Sequence, residues 1–394
     1  MQKVLYLSRG GNIGGSQRQI FHVIKNMDPN LFAPVVVCKN DGQFVNFLKD
    51  NGIETHVINM RPWRKFPIAM LRCFDVLHLA LFAYTKQVKL IHASDLWLCG
   101  YLTTVARLLN IPSILHVRTP VTGCDVRKHA FVNATSIIAI SRRVKNNLID
   151  AGIPDDKISL IYDSVDVDAF APEMNKKDIL RRQFHPKGKT LIGIVGRIDG
   201  FKKQLEFLKA AAKVNRNSFS PASFFIIGPQ HSQDYFQKIK RFISFNRLRD
   251  DVYFTGGRKD MPAVLASLDM LVSLSGGSVM FEAMAAGKAV ISAGFSKKVN
   301  SVHIQDQRTG ILIESRDNDE LASAMKRLIE DSALRRQIGN TALQWARQRL
   351  CHKLMTAKTQ QLYLNVLSCH SDKMDVPVAI EKTLVRPREI LCKP

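Results

Sequence analysis

Residues 268–293, LDMLVSLSGGSVMFEAMAAGKAVISA, decide the fold. The run LDMLVSL (268–274) is apolar almost throughout and of strand length, and it stops at the turn Ser275-Gly276-Gly277-Ser278. The stretch VMFEAMAAG (279–287) then reads as a helix closed by Gly287, and AVISA (289–293) is a second apolar run. Continuous rather than alternating apolar runs mark strands buried on both faces. A strand, a glycine turn, a helix and another such strand make the crossover unit of a parallel sheet.

The same unit repeats outward in both directions. Before it stand LIGIVG (191–196), SFFIIG (223–228) and VYFTG (252–256), and after it GILI (310–313). An earlier series comprises KVLYLS (3–8), PVVVC (34–38), THVIN (55–59), KLIHAS (89–94), SILHVR (113–118), SIIAIS (136–141) and SLIYDS (159–164). Between the series, residues 165–190 are rich in Asp, Pro and Lys and carry no apolar period, so a domain boundary falls there. The expected architecture is α/β: two facing Rossmann-like, doubly wound domains with an interdomain cleft, where the carboxyl ends of such sheets bind ligands. Residues 1–165 form the first domain and 166–350 the second. Residues 320–367 read as helices closing the second domain. Residues 351–394 are a C-terminal helix and irregular tail, free to return to the first domain, with Pro377 and Pro387 in a stretch of weakened periodicity.

A chain of 394 residues is too long for one compact core. Its 46% hydrophobic and 23% charged residues are those of an ordinary globular protein. The longest apolar stretch, Phe74 to Tyr84, is broken by Asp75 and His78 and falls short of a membrane span. The opening MQKVLYLSRGG reads as a strand entering a glycine loop rather than a signal peptide. The seven cysteines are scattered and never spaced as CxxC, which points to a reducing cytoplasm and away from disulfides or a zinc site. The net charge of +23 favours anionic partners. It is uneven: residues 1–170 carry 20 basic against 13 acidic side chains, leaving 37 against 21 for the remainder.

That basic half holds LIGIVGRIDGFKK (191–203), in which a strand ends at Gly196 and a loop presents Arg197 and Lys202 around Gly200. A guanidinium fork suits two phosphate oxygens and an ammonium adds a mobile point charge, so the pair can hold a diphosphate and neutralise the charge that builds on it as a bonded group leaves. Taken alone, a solvated basic loop is an equal reading. Gly276, Gly277 and Ser278 sit at a strand-to-helix turn, where backbone N–H groups approach an anion. Glu282 lies four residues beyond Ser278 on the same helix face, placed to accept two ribose hydroxyls. The plain alternative is an acid that complements the helix dipole.

GRIDGFKK followed some way on by FEAMAAGKAVIS resembles the donor half of glycosyltransferase family 4, retaining enzymes of the GT-B fold. The resemblance covers most of residues 3–350, including the opening GG-x-x-GGSQRQ, the passage AISRRV to GIPDDKISLIYDSVDVDAF, and FTGGRKDMPAVLASLDMLVSL. It implies that Arg197 and Lys202 contact the donor diphosphate as the catalytic pair, and that Glu282 binds the donor ribose. It implies further that Gly14 and Gly15 face the diphosphate and acceptor, that Gly196, Gly276, Gly277 and Ser278 line the donor site, and that the loop at Gly256 lies where the base is held. No cofactor and no metal are implied; the donor substrate is a nucleotide-diphosphate sugar.

Two positions depart from the family pattern. The family commonly carries two glutamates separated by seven residues, and Leu274 stands where the first belongs. That glutamate usually touches the donor sugar. The usual Asn-Gly of the interdomain strand is Asp163-Ser164, read as a tolerated loop change.

The first domain is expected to bind the acceptor. Its GGNIGG does not match GxGxxG, which weakens a dinucleotide reading. His116 and Arg118 come off a strand end toward the cleft as acceptor or sugar contacts, with a structural histidine equally open. In RPWRKFPIAMLR (61–72), Arg61, Trp63, Arg64 and Lys65 mix charge with aromatic surface in a way that suits an anionic membrane or a lipid-linked acceptor. A helix packed by its apolar face, or single-stranded nucleic acid, are the other readings.

The expectation is therefore a cytoplasmic, metal-independent retaining glycosyltransferase, with peripheral contact at the inner membrane face. It moves sugar from a nucleotide sugar to a glycan or lipid-linked acceptor. The rivals are a sugar-nucleotide epimerase or phosphorylase on a similar frame and a catalytically silent nucleotide-sugar or polyanion binder. A nucleic-acid partner is not expected, since no RRM, KH or zinc pattern is present.

Overall fold

The computed structural model describes residues 1–372 apart from 64–70, 173–177, 188–189, 217–221, 294–303 and 315–317. The chain divides into two compact units: one contains residues 1–164 together with the segment from His352 on, the other residues 165–351.

The first unit holds a parallel sheet of seven strands: β1 (Gln2–Gly10), β2 (Phe32–Asn40), β3 (Thr55–Val57), β4 (Val88–Ala93), β5 (Ser113–Val117), β6 (Ser136–Ala139) and β7 (Ile158–Leu160). Their order in space is β3-β2-β1-β4-β5-β6-β7. The second unit holds six: β8 (Thr190–Val195), β9 (Ala222–Ile227), β10 (Val252–Gly256), β11 (Met270–Ser273), β12 (Ala289–Ala293) and β13 (Ile311–Ile313), ordered β10-β9-β8-β11-β12-β13. All pairings are parallel. The winding of each sheet reverses beside its first strand, the doubly wound order whose switch point carries ligand sites. The α/β expectation of two Rossmann-like sheets is thus met, and each run assigned to the two series of sheet strands is a strand.

The physical cause is burial. In β5, β6, β9, β11 and β12 all residues are buried, with helices covering both faces. The helix Val279–Ala285 ends as its sequence demands: Gly287 has φ +68, its N–H bonds the Met284 carbonyl at 3.0 Å, and the Lys288 N–H reaches the Ala283 carbonyl at 2.9 Å. This double bond around a left-handed glycine satisfies the orphan carbonyls of the last turn.

The helices Asn318–Glu330 and Ser332–Arg349 pack on the second unit, whereas the helix His352–Asp372 belongs to the first. There it lies against the helix Gly15–Lys25 and inserts Tyr363, fully buried, beneath the sheet. The tail from residue 373 lies outside the described residues.

The helix Arg72–Thr85 has two apolar faces. Val76, Leu79, Ala80 and Ala83 are buried, while Phe74, Leu77, Leu81 and Tyr84 are each 60–71% exposed at spacings of three and four residues. Among the described residues no helix is long and apolar enough to cross a membrane.

Candidate functional site

At the carboxyl ends of β8, β9 and β10 three loops are laced by backbone bonds. Gly196 N–H donates to the Ile227 carbonyl, Gly228 N–H to the Gly256 carbonyl, and Ile198 N–H to the Pro229 carbonyl, each at 2.9 Å. Close approach forces glycine at the centre: a Cβ on Gly228 (φ +145) would stand 2.1 Å from the Gly196 carbonyl oxygen. A Cβ on Gly196 would press on the Lys202 methylenes at 2.9 Å, so the bare backbone there is the bed on which that side chain lies.

Lys202 is thereby aimed across to the next loop, its Nζ within 3.8 Å of the Cβ position of Gly277. The structure thus brings Lys202, Gly196 and Gly277 together, with Gly276 and Ser278 adjoining in the turn. Asp199 fixes the loop by accepting the Lys202 backbone N–H at 3.1 Å, and the fully buried Gln204 donates to the Arg197 carbonyl at 2.9 Å. Burial, together with the nearby Arg197, lowers the Lys202 ammonium below the usual lysine value, and Asp199 partly opposes this. Arg197 itself is more than half exposed and lies 3.5 Å from Asp199. A half-desolvated cation and an exposed guanidinium flanking glycine backbone are groups whose electrostatics improve when an anion arrives.

Glu282 is half-buried in the first turn of the helix Val279–Ala285, with Ser278 at its N-cap. Leu274, at the end of β11, is 2% exposed and packed into the core of the second unit. A side chain there contributes packing and no polar contact to the loop. Gly256 (φ +68) ends β10 beside the Gly228 turn.

In the first unit, Gly14 precedes the helix Gly15–Lys25, and its N–H is taken by the Gln17 side chain at 3.2 Å. His116 and Arg118 do meet, at 3.2 Å, but inside the unit rather than on an open surface. Arg118 also donates to the Ser94 carbonyl and lies 3.4 Å from Asp163. Burial first, then Arg118, holds His116 well below the ordinary histidine value and His92 at about 3, so both rings are neutral. Burial also raises the Asp163 carboxyl, against the pull of Arg118. His92 stacks 5.5 Å from His116 and bonds Tyr363 at 2.5 Å, and Tyr363 donates to Tyr6 at 3.0 Å.

Sequence reasoning missed this network because its members lie far apart in the chain. It also passed over Ser164 as a tolerated change. Ser164 exchanges bonds with the buried Gln19 and meets His352 at 2.7 Å, and His352 stacks on His22.

Arg61 and Trp63 are likewise engaged within the first unit. Arg61 pairs with Asp75, and Trp63 packs edge-on against Tyr101 with Arg72 over its ring. Arg64 and Lys65 lie outside the described residues. The side chains of Arg61 and Trp63 border a cavity of about 310 Å³ at the carboxyl ends of the strands, together with Arg9, Lys39, Trp97 and Lys128. The sequence offered a signal for Arg9 and Lys39, since each is the next-to-last residue of a strand.

Comparison with known proteins bears on the family and the fold. The family model for Glycosyltransferase Family 4 matches residues 13–169, and that for Glycosyl transferases group 1 matches residues 175–345. The UDP-Gal:alpha-D-GlcNAc-diphosphoundecaprenol alpha-1,3-galactosyltransferase of Escherichia coli is 25% identical over 344 residues, covering 82% of this chain and 86% of that one. An uncharacterized glycosyltransferase of Methanocaldococcus jannaschii is 24% identical over 246 residues, a match spanning 60% of each chain. Among solved structures, Anabaena HepE in complex with UDP superposes with a TM-score of 0.80 at 22% identity, covering 93% of this chain and 100% of that one, and HepE is also solved with UDP-glucose. With both halves matched and both sheets wound in the GT-B manner, the chain belongs to glycosyltransferase family 4.

Proposed function

We propose that the protein transfers a sugar, with retention at the anomeric carbon, from a nucleotide-diphosphate sugar to a glycan or lipid-linked saccharide. The observation that carries this is Lys202, laid on Gly196 and aimed at the Gly277 turn. Arg197 and Lys202 neutralise the departing diphosphate, the backbone of Gly276, Gly277 and Ser278 donates to it, and Glu282 accepts from the ribose. The loop at Gly256 holds the base, and Gly14 and Gly15 face the diphosphate. Positioning and charge stabilisation do most of the catalysis, and the leaving diphosphate takes the acceptor proton. No step of that scheme calls for a cofactor or metal. His116, which is buried, and Arg118, which is half-buried, shape the floor of the acceptor side instead of presenting open contacts. UDP is the first nucleotide to try, because HepE binds it.

Peripheral contact with an anionic membrane, at the cytoplasmic face, belongs to the same proposal. Its support is the exposed apolar row Phe74, Leu77, Leu81 and Tyr84 on a chain of net charge +23. The row replaces Arg61 and Trp63 as the surface for that contact.

The buried Leu274 favours one alternative, a binder of nucleotide sugars that does not turn them over. A panel of nucleotide sugars, assayed for nucleoside-diphosphate release with and without acceptor saccharides, separates the two. Release with one donor supports transfer. Binding by calorimetry with no release from any donor supports the silent reading, and absence of any nucleotide binding defeats both.

A further inference from the structure

The cavity in the first unit has a charge balance of its own. Among the described residues four cations border it, Arg9, Lys39, Arg61 and Lys128, and no carboxylate does. Two of the four are already answered: Arg9 Nε lies 2.9 Å from Asp95, and Arg61 pairs with the buried Asp75. Among the described residues neither Lys39 nor Lys128 is in an ion pair, and Lys128 lies within electrostatic reach of Asp125, which is outside the lining. Among the described residues the lining is therefore cationic, a character that favours a phosphate.

The walls are built rather than incidental. Asp95, besides holding Arg9, accepts the Trp97 backbone N–H at 3.0 Å and so sets the turn that presents Trp97, whose ring is about half exposed (52%) and stands edge-on to His129. Trp63, also in the lining, occupies space that only a glycine leaves open: a Cβ on Gly100 would stand 2.2 Å from the indole. Tyr101 supports that indole and donates to the Arg61 carbonyl at 3.0 Å. Two tryptophan side chains beside two lysines that are in no ion pair suit a sugar ring attached to a phosphate.

We infer that this cavity binds the acceptor through a phosphate or diphosphate group, held by Lys39 and Lys128, with the attached sugar packed against Trp63 and Trp97. The inference rests on the reading of the first unit as the acceptor side. Its test needs no turnover. The chain has three tryptophans, two of which line the cavity while Trp345 lies in the second unit, so intrinsic fluorescence reports this site.

The full-length protein, saturated with UDP, is titrated with glucose 1-phosphate, with geranyl diphosphate and with neutral glucose. Quenching by either phosphate, and not by glucose at the same concentration, is expected. Quenching confined to geranyl diphosphate assigns a lipid-borne diphosphate, and quenching confined to glucose 1-phosphate assigns a free sugar phosphate. The double variant K39Q/K128Q weakens it by about tenfold for each ammonium removed, while UDP affinity measured by calorimetry is unchanged. Quenching that survives K39Q/K128Q, or that persists in W63F/W97F, overturns the inference, as does equal quenching by glucose or none by either phosphate. Loss of UDP binding alongside intact phosphate quenching would sink the donor assignment and leave this site standing.

Discussion

The ammonium of Lys202 reaches across from the loop after β8 to within 3.8 Å of the Cβ position of Gly277 in the loop after β11, joining the ends of two adjacent strands. β8 and β11 are spatial neighbours but are separated in the chain by two other strands, so only the fold places these loops together.

On the proposed mechanism, loss of that bridge removes charge stabilisation where a diphosphate departs. K202A and R197A are each expected to lower kcat by about 100- to 1000-fold, the usual cost of one well-placed donor. Circular dichroism and the thermal midpoint should stay near wild type, because neither side chain is part of a core. Product release measured at saturating donor is the check, and a variant retaining a tenth of the wild-type kcat would count against the assignment.

Donor binding should also take up protons at alkaline pH. The free protein holds the Lys202 ammonium below the ordinary lysine value of 10.5 through burial and Arg197. An incoming diphosphate favours the charged form and raises it again. Calorimetry of UDP binding in two buffers of different ionisation enthalpy should show net uptake between the lowered value and 10.5, and K202A should abolish it. Identical enthalpies in the two buffers would refute the effect.

G228A should damage the second unit rather than its chemistry. The new methyl would meet the Gly196 carbonyl at 2.1 Å and force a non-glycine residue to φ +145. Such a backbone costs about 1–3 kcal/mol before the collision is counted. Urea unfolding should show a lowered midpoint, with UDP affinity falling in parallel.

Acid should destabilise the first unit early. His92 is neutral in the folded protein, its value lowered to about 3 by burial and Arg118, against an ordinary histidine value of 6.5. The unfolded chain therefore binds a proton that the folded one refuses. Stability is full above about pH 6.5 and falls as pH drops from there toward about 3, by up to about 1.4 kcal/mol per pH unit for one such ring. H92N should flatten that slope in a series of denaturant titrations. An unchanged slope would mean that other groups govern acid unfolding.

The exposed row on the helix Arg72–Thr85 gives a fifth prediction. The double variant F74S/L81S should fold normally, since both side chains are 60% or more exposed. It should lose co-sedimentation with vesicles containing anionic phospholipid, with phosphatidylcholine vesicles as the control. Equal pelleting of wild type and variant would remove the membrane contact from the proposal.

The sheets were legible because parallel strands announce themselves as unbroken apolar runs, and SFFIIG or SIIAIS admit no other easy reading in an α/β chain. The loop after β8 was legible for a related reason. Gly196, Arg197 and Lys202 are close in sequence, so their chemistry survives projection onto one dimension. The cavity of the first unit was not. Arg9 belongs to one strand while Asp95 and Trp97 follow another, and the cavity's Lys39 and Lys128 are 89 residues apart. Position 274 shows the opposite limit: the sequence revealed a leucine at an unexpected place, but only packing showed that it turns into the core.

The return of the helix His352–Asp372 has a consequence for the order in which the protein can mature on the ribosome. Tyr363 supplies the hydroxyl that joins His92 to Tyr6, and His352 closes on Ser164 and His22. Residues 1–164 emerge first, yet the last pieces of their own interior are synthesised only after residue 351. Domains generally fold as they emerge, at about 5–20 residues per second. Here the leading domain must wait, incomplete, through the synthesis of the whole second unit, and a nascent chain arrested before residue 352 should expose Tyr6 and His92 to solvent and chaperones alike.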